Sequence, residues 1–103
     1  MANSIKVAKN ADVPIGSMKM FVVAGKPIAI ANVDGTYFAV DDVCTHEECS
    51  LANEGFLEGN RITCGCHGSV FDVTSGKVQS LPATSDLATY KIEVQGDDLY
   101  IHI

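Results

Sequence analysis

An all-β fold, an antiparallel sandwich or small barrel, is what the sequence predicts, and three observations predict it. Apolar and polar residues alternate over short runs, most plainly at Leu99, Ile101 and Ile103. Turn chemistry interrupts these runs at close intervals, at Asp12-Val13-Pro14-Ile15-Gly16, Asp34-Gly35, Thr74-Ser75-Gly76 and Gln95-Gly96-Asp97-Asp98. No stretch carries a convincing helical period. Many short strands between turns, without helices to cover a sheet, read as a sandwich or barrel. At 103 residues the chain is one domain, large enough to bury roughly 65% of the surface its unfolded form exposes.

Taken in order, Ser4 to Ala8 reads as a first strand and Met18 to Ala24 as a second, closed by Gly25-Lys26-Pro27. Ile28, Ile30 and Val33 mark one face of a third strand. Asp34-Gly35 is a two-residue hairpin signal, and Thr36 to Val40 returns as a fourth. Two loops then bracket short strands at Arg61 to Thr63 and Val70 to Val73. Beyond Pro82, Leu87, Tyr90, Ile92 and Val94 lead into a terminal hairpin. The loops form an insertion, so the chain divides into a base, residues 1–40 and 81–103, and a small subdomain, residues 41–80.

Hydrophobic content of 47% suits an ordinary soluble core. No apolar run approaches the length of a spanning helix. Met1 to Asn10 lacks both the apolar core of a signal peptide and a twin-arginine pair, which predicts a cytoplasmic protein free of the membrane. A net charge of −6 excludes the electrostatic footprint of a nucleic-acid binder. Asp41, Asp42, Glu47, Glu48, Glu54 and Glu58 fall between Asp41 and Asn60, a window without Lys or Arg. It is either a solvated loop surface or a negative rim that steers a basic partner.

The chemistry concentrates between Cys44 and Ser69. Cys44-Thr45-His46 and Cys64-Gly65-Cys66-His67 offer a Cys and a His each, C-x-H and C-x-x-H, with seventeen residues between His46 and Cys64. A zinc finger keeps its Cys pair and its His pair on separate arms. An all-cysteine plant-type cluster needs C-x4-C-x2-C; Cys44-x4-Cys49 is present but the third Cys is not. Interleaved Cys and His suit two irons held asymmetrically, Cys44 and Cys64 on one, His46 and His67 on the other. Zinc, or a thiol pair without metal, is the alternative.

On these two motifs the sequence resembles the Rieske family, in which two His replace two Cys on one iron of a [2Fe-2S] cluster. The resemblance runs through nearly the whole chain, with weaker matches at Asp34-Gly35, Leu51 to Gly55, Phe71-Asp72 and Thr74-Ser75-Gly76. It implies a Rieske-like fold with a small cluster-binding subdomain. The function it implies is that of a ferredoxin, a one-electron carrier and not an enzyme, expected as a monomer between a flavin reductase and an oxygenase or other acceptor. An oxygenase would need a further domain for a mononuclear iron.

Further roles follow from the same resemblance. Cys49 and Cys66 remain once the ligands are assigned, and respiratory members bridge this pair while many dioxygenase ferredoxins lack both. A Cys49–Cys66 bridge would close a loop of about 18 residues and contribute about 3 kcal/mol; a cytoplasmic address favours two free buried thiols, but the resemblance implies the bridge, shielded enough to resist cellular reductants. A redox-sensing or structural metal module using that pair is the alternative function. Ser69 matches a Ser whose hydroxyl meets a bridging sulfide, whereas Phe71 stands in place of a Tyr that bonds a ligand sulfur. Gly65 replaces a common Pro. Glu47 and Glu48 stand where respiratory members carry an apolar residue and Gly, and one donor fewer with two carboxylates nearby places the potential below the family's highest values, in a range of about −150 to +300 mV. Leu81-Pro82-Ala83 matches a third loop that covers the cluster. His102, isolated on the last strand, is expected to be no ligand.

Overall fold

The computed structural model describes residues 4–43, 49–65, 68–80 and 86–102. Within them lie ten strands: β1 (Ser4–Lys9), β2 (Met18–Val23), β3 (Lys26–Val33), β4 (Thr36–Asp41), β5 (Phe56–Glu58), β6 (Arg61–Thr63), β7 (Val70–Asp72), β8 (Val78–Ser80), β9 (Thr89–Gln95) and β10 (Asp98–His102). All pairings are antiparallel. Six strands form one nearly closed sheet in the order β1-β10-β9-β4-β3-β2, and four form a smaller one in the order β5-β6-β7-β8. The all-β prediction holds.

The turns show why the large sheet takes this register. Val23 pairs with Lys26, and Val33 with Thr36, so each hairpin closes over two residues. Ala24-Gly25 and Asp34-Gly35 all have positive φ, the combination that matches the twist of the flanking strands. The first of these corrects the sequence reading, which ended β2 at Ala24 and made Gly25-Lys26-Pro27 the turn. Pro27 is tolerated inside β3 because it sits near the strand's start; its carbonyl accepts from the Asp42 N–H at 3.1 Å.

β3 departs from the expected half-buried alternation. Ile28, Ala29, Ile30, Ala31 and Asn32 are all buried, so the strand is covered on both faces. Ile28 and Ile30 join Val13, Val23, Ala39, Leu99 and Ile101 in the core inside the large sheet. Ala29, Ala31 and Val40 face the other way, into a second core with Leu51, Ile62, Phe71, Val73 and Leu87. Small side chains at Ala29 and Ala31 let the second layer lie close to the sheet. Asn32, a polar residue between the two cores, donates to the Val13 carbonyl at 2.8 Å and accepts from Gly35 N–H at 2.8 Å.

A 3-10 turn at Asn10–Asp12, β8 and two features that follow the first loop were not anticipated. Residues Leu51–Glu54 form a one-turn helix, α1, capped by Ser50, whose hydroxyl accepts from Asn53 N–H at 3.2 Å. Phe56–Glu58, read as loop, is β5, held by its ladder with β6. A single turn is too short for a hydrophobic period to reveal. The Ser50 cap and Gly55 stop were its only local signals. Ile92 and Tyr90 pack on the inner core, whereas Val94 is half-exposed and Leu87 belongs to the second core. Ile103 lies outside the described residues.

Replacing Ala31 by Leu should wedge the two layers apart. We expect A31L to lose about 1–3 kcal/mol of stability in denaturant unfolding, whereas the same change at exposed Val22 should cost under 0.5 kcal/mol.

Candidate metal centre

The candidate site is built on two loops whose ends are fixed from below. The first, residues 44–49, leaves the large sheet after β4 and returns at α1. Asp42, at its base, is only 2% exposed. Its Oδ1 accepts from Ala52 N–H at 2.9 Å and its Oδ2 from the Ser50 hydroxyl at 2.5 Å. The Asp42 carbonyl accepts from Leu51 N–H at 2.8 Å, and Val43 bridges to Ser50. The chain thus leaves and re-enters the fold at one buried carboxylate. Asp42 therefore drops out of the acidic rim read from the sequence. Its neighbour Asp41 is also engaged, accepting from the Tyr90 hydroxyl at 2.6 Å. Burial, and then the Asp41 carboxylate, push the Tyr90 phenol up to about 12, so the hydrogen bond keeps its proton throughout the neutral range.

The second loop is the tip of the β6–β7 hairpin. Thr63 pairs with Val70; beyond them Cys64 N–H donates to the Ser69 carbonyl at 2.8 Å, and Gly68 N–H to the Cys64 carbonyl at 2.9 Å. Cys64 is a free, buried thiol, 1% exposed, and Ser69 is fully buried. Phe71, two residues on, is buried in the second core and not at a surface.

The β6–β7 hairpin tip and the end of α1 meet through backbone. A Cβ at Gly65 would lie 1.6 Å from the Glu54 carbonyl oxygen, and one at Gly55 would lie 2.3 Å from that of Thr63. Only glycine permits either approach. Gly65, which the resemblance marked as a departure from Pro, is therefore the point where the hairpin tip rests on the end of α1. A third segment is fixed at both flanks: Val78 N–H donates to Asp86 Oδ1 at 2.9 Å and Leu87 N–H to the Gly76 carbonyl at 2.7 Å.

Of the predicted ligands, Cys64 lies among the described residues and Cys44, His46 and His67 outside them, as do Glu47, Glu48, Cys66 and Leu81-Pro82-Ala83. Among the described residues, no group of three or more metal-binding side chains stands together. Cys49 is buried, its sulfur engaged in a disulfide whose other half lies outside the described residues. His102 stands apart on β10, its Nε2 3.2 Å from Glu93 Oε1. A hydrogen bond from Lys91, with the charge of His102 adding to it, holds the Glu93 carboxyl below its ordinary range.

The Rieske [2Fe-2S] domain model matches residues 3–91. The chain belongs to the Rieske family. It is 35% identical over 98 residues to the ferredoxin component of biphenyl 2,3-dioxygenase from Rhodococcus jostii, covering 95% of this chain and 91% of that one. It is 39% identical over 90 residues to the biphenyl dioxygenase ferredoxin subunit of a Pseudomonas species, covering 87% and 83%. Among solved structures, it resembles the complex of reduced oxygenase and oxidised ferredoxin in carbazole 1,9a-dioxygenase. There the TM-score is 0.89 at 32% identity, over 96% of this chain and 92% of that one. It also resembles the Sphingomonas yanoikuyae B1 ferredoxin, with a TM-score of 0.91 at 27% identity over 98% and 99%.

The residues present fit the family's [2Fe-2S] cluster. A buried free thiol at a hairpin tip, beside a buried hydroxyl-bearing residue and with Gly65 clearing the approach of α1, suits a Rieske thiolate. Sequence reading missed Asp42, Ser50 and Gly55, which shape the site without touching metal. Of these, Ser50 and Gly55 carried local signals, as cap and stop of α1; Asp42 carried none.

Gly65→Ala forces the two backbones apart. We expect this variant to keep its strand content by circular dichroism, to lose about 1–3 kcal/mol of stability, and to hold well under half the iron and sulfide per chain of the parent protein.

Proposed function

We propose that this Rieske ferredoxin carries single electrons from a flavin reductase to an oxygenase, with Cys44 and Cys64 holding one iron and His46 and His67 the other. The bound cluster supplies one-electron storage; the protein supplies its ligands, its shielding and its docking surface. What supports this reading is the pair of Cys/His motifs in the sequence, in a chain whose relatives are named as ferredoxin components of dioxygenases. Its structural neighbour in carbazole 1,9a-dioxygenase is a ferredoxin seated on an oxygenase.

Several finer points belong to the same proposal. The cluster-binding part is residues 41–80 and the base is residues 1–40 and 81–103. Ser69 would offer its hydroxyl to cluster sulfur and so raise the potential. Cys66 is the partner of Cys49, an extra bridge of the kind seen in respiratory Rieske proteins, and it clips the second loop to the first. Glu47, Glu48, Glu54 and Glu58 leave this end of the molecule negative, which favours a basic face on the acceptor. No described helix is long and apolar enough to cross a membrane. We infer a monomer working in the cytoplasm, where nicotinamide-fed reductases operate.

Anaerobic titration with NADH and a dioxygenase flavin reductase tests this directly. Visible absorbance should bleach with uptake of one electron per chain and recover when oxidised oxygenase is added. Cys44→Ser, His46→Ala, Cys64→Ser and His67→Ala should each remove most of the iron and all of the transfer, while Ser69→Ala should keep the iron and lower the potential. Full iron content in any of the four ligand variants would overturn the ligand assignment.

A further inference from the structure

Glu54 ends α1 with its backbone against Gly65 and its side chain against sulfur. Its Oε2 lies 3.3 Å from Cys49 Sγ. With that sulfur in a disulfide, Cys49 has no proton to donate. The contact therefore sets an exposed carboxylate directly on a buried disulfide sulfur, 3% exposed at Cys49. Neither the metal site nor the cap of α1 requires it.

We propose that Glu54 guards this disulfide against thiol reductants, a role that rests on the Cys49–Cys66 bridge proposed above. A dithiol opens a disulfide in two displacements. Its thiolate attacks one sulfur, the S–S bond breaks, and the electron pair leaves on the other sulfur, which takes a proton from water. The reductant's second thiolate then displaces the first protein sulfur from the mixed disulfide. Two protein thiols and one cyclic, oxidised reductant result.

Negative charge builds on the sulfurs in the first displacement whichever of them is attacked. Attack at Cys49 brings an anion onto the atom that Glu54 already touches. Attack at the other sulfur leaves the departing charge on Cys49, again beside Glu54. Both routes are opposed by like charge 3.3 Å from a sulfur that is itself buried. A bridge that holds the two ligand loops together is thus slow to open even where thiols abound.

The test is the rate at which dithiothreitol opens the bridge in the cluster-loaded protein, followed by alkylation and mass spectrometry of Cys49. Glu54→Gln should open about three- to tenfold faster than the parent, and Glu54→Asp, which keeps the charge, should stay within about twofold of it. Glu58→Gln, an exposed acid on β5, should change nothing. Equal acceleration by Gln and Asp would mean that Glu54 acts through packing and would overturn the guard, as would no acceleration in either. Alkylation of Cys49 before any reductant is added would instead remove the bridge itself, a separate failure of the earlier reading.

Discussion

The close seating of the small sheet on β3 and β4 is the constraint on which the rest depends. The large sheet has its own core on its inner side, and could in principle leave its outer side wet. Ala29, Ala31 and Val40 make that outer side apolar and nearly flat, so that Leu51, Ile62 and Phe71 can bury against it. The resulting second core is what gives the β6–β7 hairpin a fixed position. Without it, the hairpin tip bearing Cys64 would have only three-residue strands to define it, too few for independent stability.

Position alone does not seat the hairpin tip on α1; the two must also approach closely. The fold achieves this by backbone contact in place of interlocking side chains, at Gly55 and Gly65. Asp42 performs the complementary task for the first loop. One buried carboxylate takes a hydrogen bond from a side chain and another from the backbone, and its carbonyl takes a third, all from residues just beyond the loop. A satisfied buried acid of this kind is costly to lose, since removing either side leaves desolvated groups unpaired.

Much of this was legible in the sequence, for identifiable reasons. Asp34-Gly35 dictates its hairpin by local backbone preference, and the alternation through Leu99 and Ile101 dictates the terminal strand by burial. The family declares itself because two Cys/His motifs at such spacing rarely coincide by chance, and the Rieske domain matches residues 3–91. What stayed hidden depends on tertiary contact. Nothing local distinguishes Asp42 from the solvated acids around it, and Ala29 and Ala31 read as filler beside Ile28 and Ile30 until a second layer is seen to need them. Gly65 shows in the sequence only as a replacement for Pro and is a point of close contact.

The central claim is a [2Fe-2S] cluster with both imidazoles on the iron that accepts the electron. An electron paramagnetic resonance spectrum of the purified protein, reduced first with ascorbate and then with dithionite, tests it most directly. Histidine ligation predicts a rhombic signal whose average g lies clearly below that of all-cysteine clusters, since imidazoles donate less charge than thiolates to the reduced iron. A colourless, zinc-loaded protein that gives no signal with either reductant would contradict it.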